Sequence, residues 1–160
     1  MTSVAAIEPG SIAPDFRATD EGGNTFRLSD YGGRSVVLFF YPKANSRGCT
    51  QQACAFRDAY ERFQDAGADV IGVSRDDTDE QEAFSSQNAL PYRLASDPDG
   101  SIHALYGLRK TLGILPRRVT FVIDPSGVVV HAFDSLMQLD RHVQEALSAL
   151  LDRAPERRPA

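Results

Sequence analysis

The sequence predicts an α/β domain of three layers, a central mixed sheet with helices on both faces, and three observations predict it. Two continuous apolar runs, SVVLFFYP at 35–42 and ADVIGVS at 68–74, are each followed by a segment of helical periodicity. That alternation is the pattern of strands joined by crossover helices. Hairpin signals flank it on both sides, around Gly22–Gly23 and at PSG (125–127), and add further strands. Finally, 160 residues with 42% hydrophobic and 24% charged content amount to one globular domain with a proper core.

Each element has its own signal. After a proline-bearing lead-in, DFRATDEGGNTFRLSD reads as two short strands around the glycine pair. SVVLFFYP has the length and the β-branched, aromatic composition of a fully buried strand, which Pro42 ends. From Ser46 to Ala66 the pattern is helical. Cys49, Ala53, Phe56, Tyr60 and Phe63 recur at steps of four and three residues as one apolar stripe, and Gly67 stops the run. ADVIGVS is the next buried strand, and Thr78 with Gln81 predicts a capping box for a helix of about ten residues. YRLAS reads as a short strand, and DPDG as a turn or helix start leading through Ile102 to Tyr106. RVTFVID, PSG and VVVHAF form a hairpin. Leu136 to Leu151 is a final amphipathic helix with Leu139, Val143, Ala146, Leu147 and Leu150 on its apolar face. Right-handed crossovers place helices on both faces of the sheet. The segment after FFYP then falls at the carboxyl end of a central strand, where open α/β sheets carry their sites.

Composition narrows the function. A net charge of −5 argues against a nucleic-acid partner, which asks for a basic face. The opening MTSVAAIEPG lacks the basic start of a secretory signal, and no apolar run of about 18 residues predicts a membrane span. Two cysteines are too few for a disulfide scaffold, so a reducing cytoplasm is the expected location, with the thiols serving chemistry. Residues 1–152 are expected to form one domain and the proline- and charge-bearing 153–160 to fray. His103, His131 and His142 have no ligand spacing and the cysteines supply only two ligands, so no metal site is expected. Each histidine reads as an ordinary surface or helix residue.

Cys49 and Cys54 share one short segment, YPKANSRGCTQQACAF, and their spacing is not that of a CxxC redox pair. Cys49 falls in the first turn of its helix, where unpaired amides and the positive end of the helix dipole favour a nucleophilic thiolate. Ser46, three residues earlier, suits either a helix cap or a hydroxyl aimed at the sulfur. In an intact helix five residues span a rise of about 7.5 Å and a rotation of about 140°, which separates the two Cα atoms by about 8 to 9 Å. A disulfide rarely tolerates more than about 7 Å. The pair therefore closes only if the helix partly unwinds, as a state of a reaction cycle. The competing reading takes both as small buried hydrophobes, and the place of Cys49 on the apolar stripe supports it. The helix start, the preceding strand and proline, and the second thiol favour a reactive pair.

The stretch FFYPKANSRGCTQQACAFRD resembles the active-site segment of the peroxiredoxins, in particular the Q-type subgroup, the bacterioferritin comigratory proteins. That family carries a proline, a Thr or Ser four residues later and the peroxidatic cysteine three after that, which match Pro42, Ser46 and Cys49. Cys54 matches the resolving cysteine of the Q type. The family's essential arginine precedes a strand reading Thr-Phe, which places it at Arg118 in RRVTFVID, with Arg117 as the second candidate. GVSRDD, SDPDGSIHALYGL and TFVIDPSG extend the likeness over residues 8–150.

The resemblance implies a thioredoxin-like fold, a peroxide substrate and no metal or organic cofactor. In the chemistry it implies, the Cys49 thiolate attacks a peroxide oxygen and becomes a sulfenic acid. Arg118 stabilises the thiolate and the developing oxyanion, Ser46 bonds the sulfur or a peroxide oxygen, and Pro42 walls the pocket. Cys54 then condenses with the sulfenate, and thioredoxin or a similar reductant reopens the disulfide. With both thiols in one chain a monomer suffices. The segment departs from the family pattern at Ser46 (commonly Thr), Arg47 (frequently Pro) and Gln52 (usually Glu). Two other readings are a thiol–disulfide oxidoreductase on the same fold and a redox sensor that reacts once without turnover.

Overall fold

Side chains alternate across a strand, so a run without polar residues needs cover on both faces. A computed structural model of the chain, which describes residues 7–108 and 118–153, shows how SVVLFF obtains it. Among the described residues seven strands form one sheet: β1 (Arg17–Asp20), β2 (Thr25–Arg27), β3 (Ser35–Phe40), β4 (Ala68–Ser74), β5 (Arg93–Ser96), β6 (Val119–Ile123) and β7 (Val129–Asp134). Their order is β2-β1-β5-β4-β3-β6-β7. The β3–β4 and β4–β5 pairs are parallel, while β6 and β7 on one side and β1 and β2 on the other run antiparallel to their neighbours. All six residues of β3 are buried.

The helices are α1 (Arg47–Asp58), α2 (Tyr60–Asp65), α3 (Thr78–Asn88), α4 (Ser101–Leu105) and α5 (Leu139–Arg153). The crossovers from β3 to β4 and from β4 to β5 step the same way along the sheet, so right-handedness puts α1, α2 and α3 on one face. There Val37 and Phe39 meet Phe56, Phe63 and Phe84, joined by Val143, Ala146 and Leu150 of α5. On the other face Val36, Leu38 and Phe40 meet Ile102 of α4, Tyr106, and Phe16, Phe26 and Leu28 from the amino-terminal region. The three layers are present, with the helices unequally shared. Gly72 of β4 makes room for this packing, because a Cβ there would lie 2.9 Å from the Phe39 ring and from Leu94 Cδ2. The Phe39 ring stacks on Phe56 with centroids 4.4 Å apart.

Several local expectations change. The single helix expected over 46–66 is two, because Ala59 (φ −97°, ψ 0°) leaves helical geometry. The break leaves Tyr60 half-buried with its hydroxyl on Asp69 Oδ1 at 2.9 Å, while Cys49, Ala53, Phe56 and Phe63 of the same stripe are buried. DDTDEQ contains two overlapping box patterns, and the observed cap of α3 is Asp77 with Glu80. Gln81 is instead buried, accepting from the Tyr41 hydroxyl and donating to Ala95 O. The last helix starts at Leu139, which leaves the Leu136 carbonyl free of it. His103 and His142 lie on helices but are buried, the first against Asp97 and the second between Thr120 and Ser135. Arg117 and the tail beyond Arg153 lie outside the described residues.

Candidate active site

The site begins where β3 runs out of amides. Tyr41 N still donates to Val73 O at 3.0 Å, and Pro42, half-buried, has no N–H with which to continue the ladder. The chain then turns through Asn45, whose φ of 66° lies in the left-handed region that asparagine tolerates. Asp76 holds this turn: its Oδ2 accepts from Ala44 N and from Ser74 Oγ, both at 2.6 Å. The anchor is buried and comes from the end of the adjacent parallel strand.

Ser46 caps α1 from an extended conformation. Its Oγ accepts from Cys49 N at 3.4 Å, and its hydroxyl proton is given to Lys43 O at 2.9 Å. Of the two jobs open to it from sequence, this geometry is the cap. Cys49 follows as the third residue of α1, 1% exposed, with its sulfur in the first turn. Cys54 lies further along the same unbroken helix, half-buried, its Sγ 3.7 Å from Asn88 Oδ1. Both are free thiols.

Arg118 reaches Cys49 from 69 positions away in the chain. Its backbone is held by Ser135 N, which donates to Arg118 O at 3.1 Å just where β6 enters the sheet between β3 and β7. The side chain is buried and uses three acceptors. Nε donates to Leu136 O at 3.1 Å, while Nη1 donates to Cys49 Sγ at 3.5 Å and to Gln52 Oε1. Gly48 permits this path, since a Cβ there would stand 3.2 Å from Arg118 Nη2. The helix amino-terminus and the guanidinium thus converge on one sulfur, an arrangement that stabilises an anion there and offers a donor to a departing oxygen.

Gln52 explains its own residue type. It is fully buried, its oxygen faces the guanidinium, and its Nε2 has no partner among the described residues. Turning the amide over would set N–H against N–H, so the orientation is determined. A carboxylate in this place would take up the charge of Arg118. The carboxamide uses the same donor and leaves that charge to the sulfur, although a buried donor without an acceptor costs about 1–3 kcal/mol.

Behind Arg118, His142 accepts from Thr120 Oγ1 on Nδ1 and donates from Nε2 to Ser135 O, both at 2.7 Å, and so steadies the segment that carries the Leu136 carbonyl. Burial lowers its pKa, with the Arg118 charge acting the same way, so the ring is neutral near pH 7 and makes both bonds. The structure brings Ser46, Cys49 and Arg118 together, with Pro42 just ahead of the turn; Cys54 stands apart on the helix. Sequence reasoning passed over Gly48, Asp76 and the Leu136 carbonyl. The glycine beside the cysteine and the Asp of GVSRDD were legible signals, but a backbone carbonyl has none. A cleft of about 230 Å³, lined by Ile12, Leu28, Val36 and Ile123 among others, lies at the amino end of β3, away from this chemistry.

The profile of the AhpC/TSA family matches residues 9–132. Peroxiredoxin Q, chloroplastic, of Suaeda salsa is 43% identical over 148 residues, which are 92% of this chain and 69% of that protein. The protein of the same name from Arabidopsis thaliana is 44% identical over 147 residues, 91% of this chain and 68% of that one. Among solved structures, peroxidoxin BcpB of Mycobacterium tuberculosis superposes with a TM-score of 0.85 at 37% identity, covering 91% of this chain and 97% of its own. The bacterioferritin comigratory protein of Xanthomonas campestris, described for its alkyl peroxide reduction activity, gives 0.82 at 27% identity over 95% and 99% of the two chains.

Proposed function

We infer from the premise that this chain belongs to the AhpC/TSA family, as a thiol-dependent peroxidase of the peroxiredoxin Q kind on a thioredoxin-like fold, that Cys49 is its peroxidatic residue. The observation that carries the assignment is the 3.5 Å contact between Arg118 Nη1 and Cys49 Sγ at the amino-terminus of α1. The Cys49 thiolate attacks the nearer peroxide oxygen, the O–O bond breaks, and the other oxygen leaves as water or an alcohol after protonation. Arg118 supports both the thiolate and the leaving oxygen. Ser46 presents its hydroxyl to the same space by rotating off Lys43 O, and Pro42 helps to keep water from the sulfenate.

Cys54 is the resolving thiol in this reading. Because both cysteines occupy one intact helix, their disulfide forms after local unwinding and closes within the subunit, so a monomer completes the cycle. A thioredoxin-type reductant returns the pair to thiols. The substrates are hydrogen peroxide and organic hydroperoxides, the latter in line with the alkyl peroxide activity of the Xanthomonas relative. A chain with only two cysteines, both used for chemistry, suits a reducing compartment such as the cytoplasm. Among the described residues no helix is long and apolar enough to cross a membrane.

Thioredoxin-coupled consumption of hydrogen peroxide and of an organic hydroperoxide tests the proposal. Many turnovers per subunit are expected, with Cys49→Ser inactive. Turnover retained in that variant would overturn the role of Cys49, and wild-type oxidation that stops after one equivalent would point to a sensor.

A further inference from the structure

Resting on the peroxidase reading, with Cys54 as resolving thiol, we propose that Tyr92 and Asn88 form a latch that keeps the middle of α1 helical and thereby sets how long the Cys49 sulfenate persists. Tyr92 is buried, packed edge-on against Phe39 and tilted against Tyr60, and its hydroxyl donates to Ala53 O at 2.7 Å. That carbonyl belongs to the residue just before Cys54, inside the segment that has to unwind. Asn88 ends α3 beside it. Its Nδ2 donates to Phe84 O at 2.9 Å, which fixes the side chain so that Oδ1 faces Cys54 Sγ at 3.7 Å. Its backbone carbonyl accepts from Arg57 Nη1 at 2.8 Å. Three ties therefore run from residues 53, 54 and 57 of α1 to Tyr92 and Asn88, and none of them involves Cys49 or Arg118.

Unwinding breaks these ties and leaves the buried Tyr92 hydroxyl without its acceptor, so they hold Cys54 back. Two reactions compete for the sulfenate. In one, Cys54 sulfur attacks Cys49 sulfur, an S–S bond replaces the S–O bond, and water leaves. In the other, the sulfenate attacks a second peroxide, gains an oxygen to become the sulfinic acid, and releases water or an alcohol. The latch slows the first and leaves the second alone. Loss of one such hydrogen bond shifts an opening equilibrium by about two- to tenfold.

The test exposes reduced protein to pulses of hydrogen peroxide of rising concentration and measures Cys49–Cys54 disulfide against Cys49 sulfinic acid by mass spectrometry. Tyr92→Phe is expected to need about two- to tenfold more peroxide to reach the same sulfinic fraction. Asn88→Ala moves the same way and carries the prediction if the tyrosine variant does not fold. Tyr106→Phe is the control: it loses a comparable bond, to Pro14 O at 2.7 Å, in the opposite core, and its ratio is expected to match wild type. An unchanged ratio in Tyr92→Phe and Asn88→Ala, or an equal shift in Tyr106→Phe, would overturn the latch while leaving the peroxidase standing. Wild-type protein that forms sulfinic acid but never the disulfide would remove the resolving role of Cys54, and the latch with it.

Discussion

Replacing Arg118 by methionine removes the guanidinium while keeping an unbranched chain along the same path. Nη1 stands 3.5 Å from Cys49 Sγ and the residue is 5% exposed, so little water screens the pair. At that distance and an effective dielectric of about 20, opposite unit charges attract by about 5 kcal/mol. Desolvation of both ions takes back part of this. Loss of one preorganised oxyanion donor lowers a rate by about 10²–10³. Arg118→Met is therefore expected to lower the second-order rate constant for peroxide by about 10²–10³-fold, with reduction of the disulfide by thioredoxin unaffected. The assay is rapid quenching of reduced protein with hydrogen peroxide, followed by alkylation and mass analysis of Cys49. Arg118→Lys separates charge from shape: an ammonium keeps the charge but cannot serve Leu136 O, Gln52 Oε1 and the sulfur with one fork, so only partial recovery is expected. A loss below about tenfold in the methionine variant, with lysine equal to arginine, would refute the argument.

Three further variants probe what supports the site. Asp76→Ala strips the Ala44 amide and the Ser74 hydroxyl of a buried acceptor, at about 1–3 kcal/mol each, and frees the turn leading to Ser46. Thermal unfolding should show the lost stability, and kcat/KM for peroxide should fall by up to about 10²-fold as the cap loosens. Gly72→Ala forces a methyl against Phe39 and Leu94, and denaturant unfolding should report about 1–3 kcal/mol of destabilisation. His142 has a pKa lowered by burial, so the unfolded chain binds its proton at higher pH than the native one. The stability it contributes is complete above about pH 6.5 and is lost as pH falls through the lower native value. Unfolding measured across that window should show this slope, and His142→Gln should flatten it; an unchanged slope would mean that other groups dominate.

How much was legible beforehand differs by element. The buried strands β3 and β4 and the hairpin β6–β7 appeared in sequence because fully apolar runs bounded by turn residues leave few alternatives. The break at Ala59 did not appear, since the apolar stripe continues across it at helical spacing and only the sheet beneath decides where the chain bends. The cap of α3 was ambiguous for a related reason: DDTDEQ offers two boxes, and the need of buried Tyr41 for a partner assigns Gln81 to the core. The burial of His103 and His142 was likewise invisible, because their partners come from other elements or from backbone carbonyls.

For the site the division is the same. The sequence alone determined that both cysteines share one helix, that the first stands in its opening turn behind a strand, a proline and a serine, and that an intact helix keeps their sulfurs apart. These are consequences of local periodicity, which acts over a few residues. The family resemblance had placed Arg118 at the Cys49 thiolate, but only the tertiary structure decided that its Nη1 reaches the sulfur while shared with an uncharged Gln52, that Asp76 ties down the turn, and that Tyr92 grips the helix between the thiols. Those contacts join residues 32 to 69 positions apart, and their distances follow from strand order and register, which no short stretch of chain encodes.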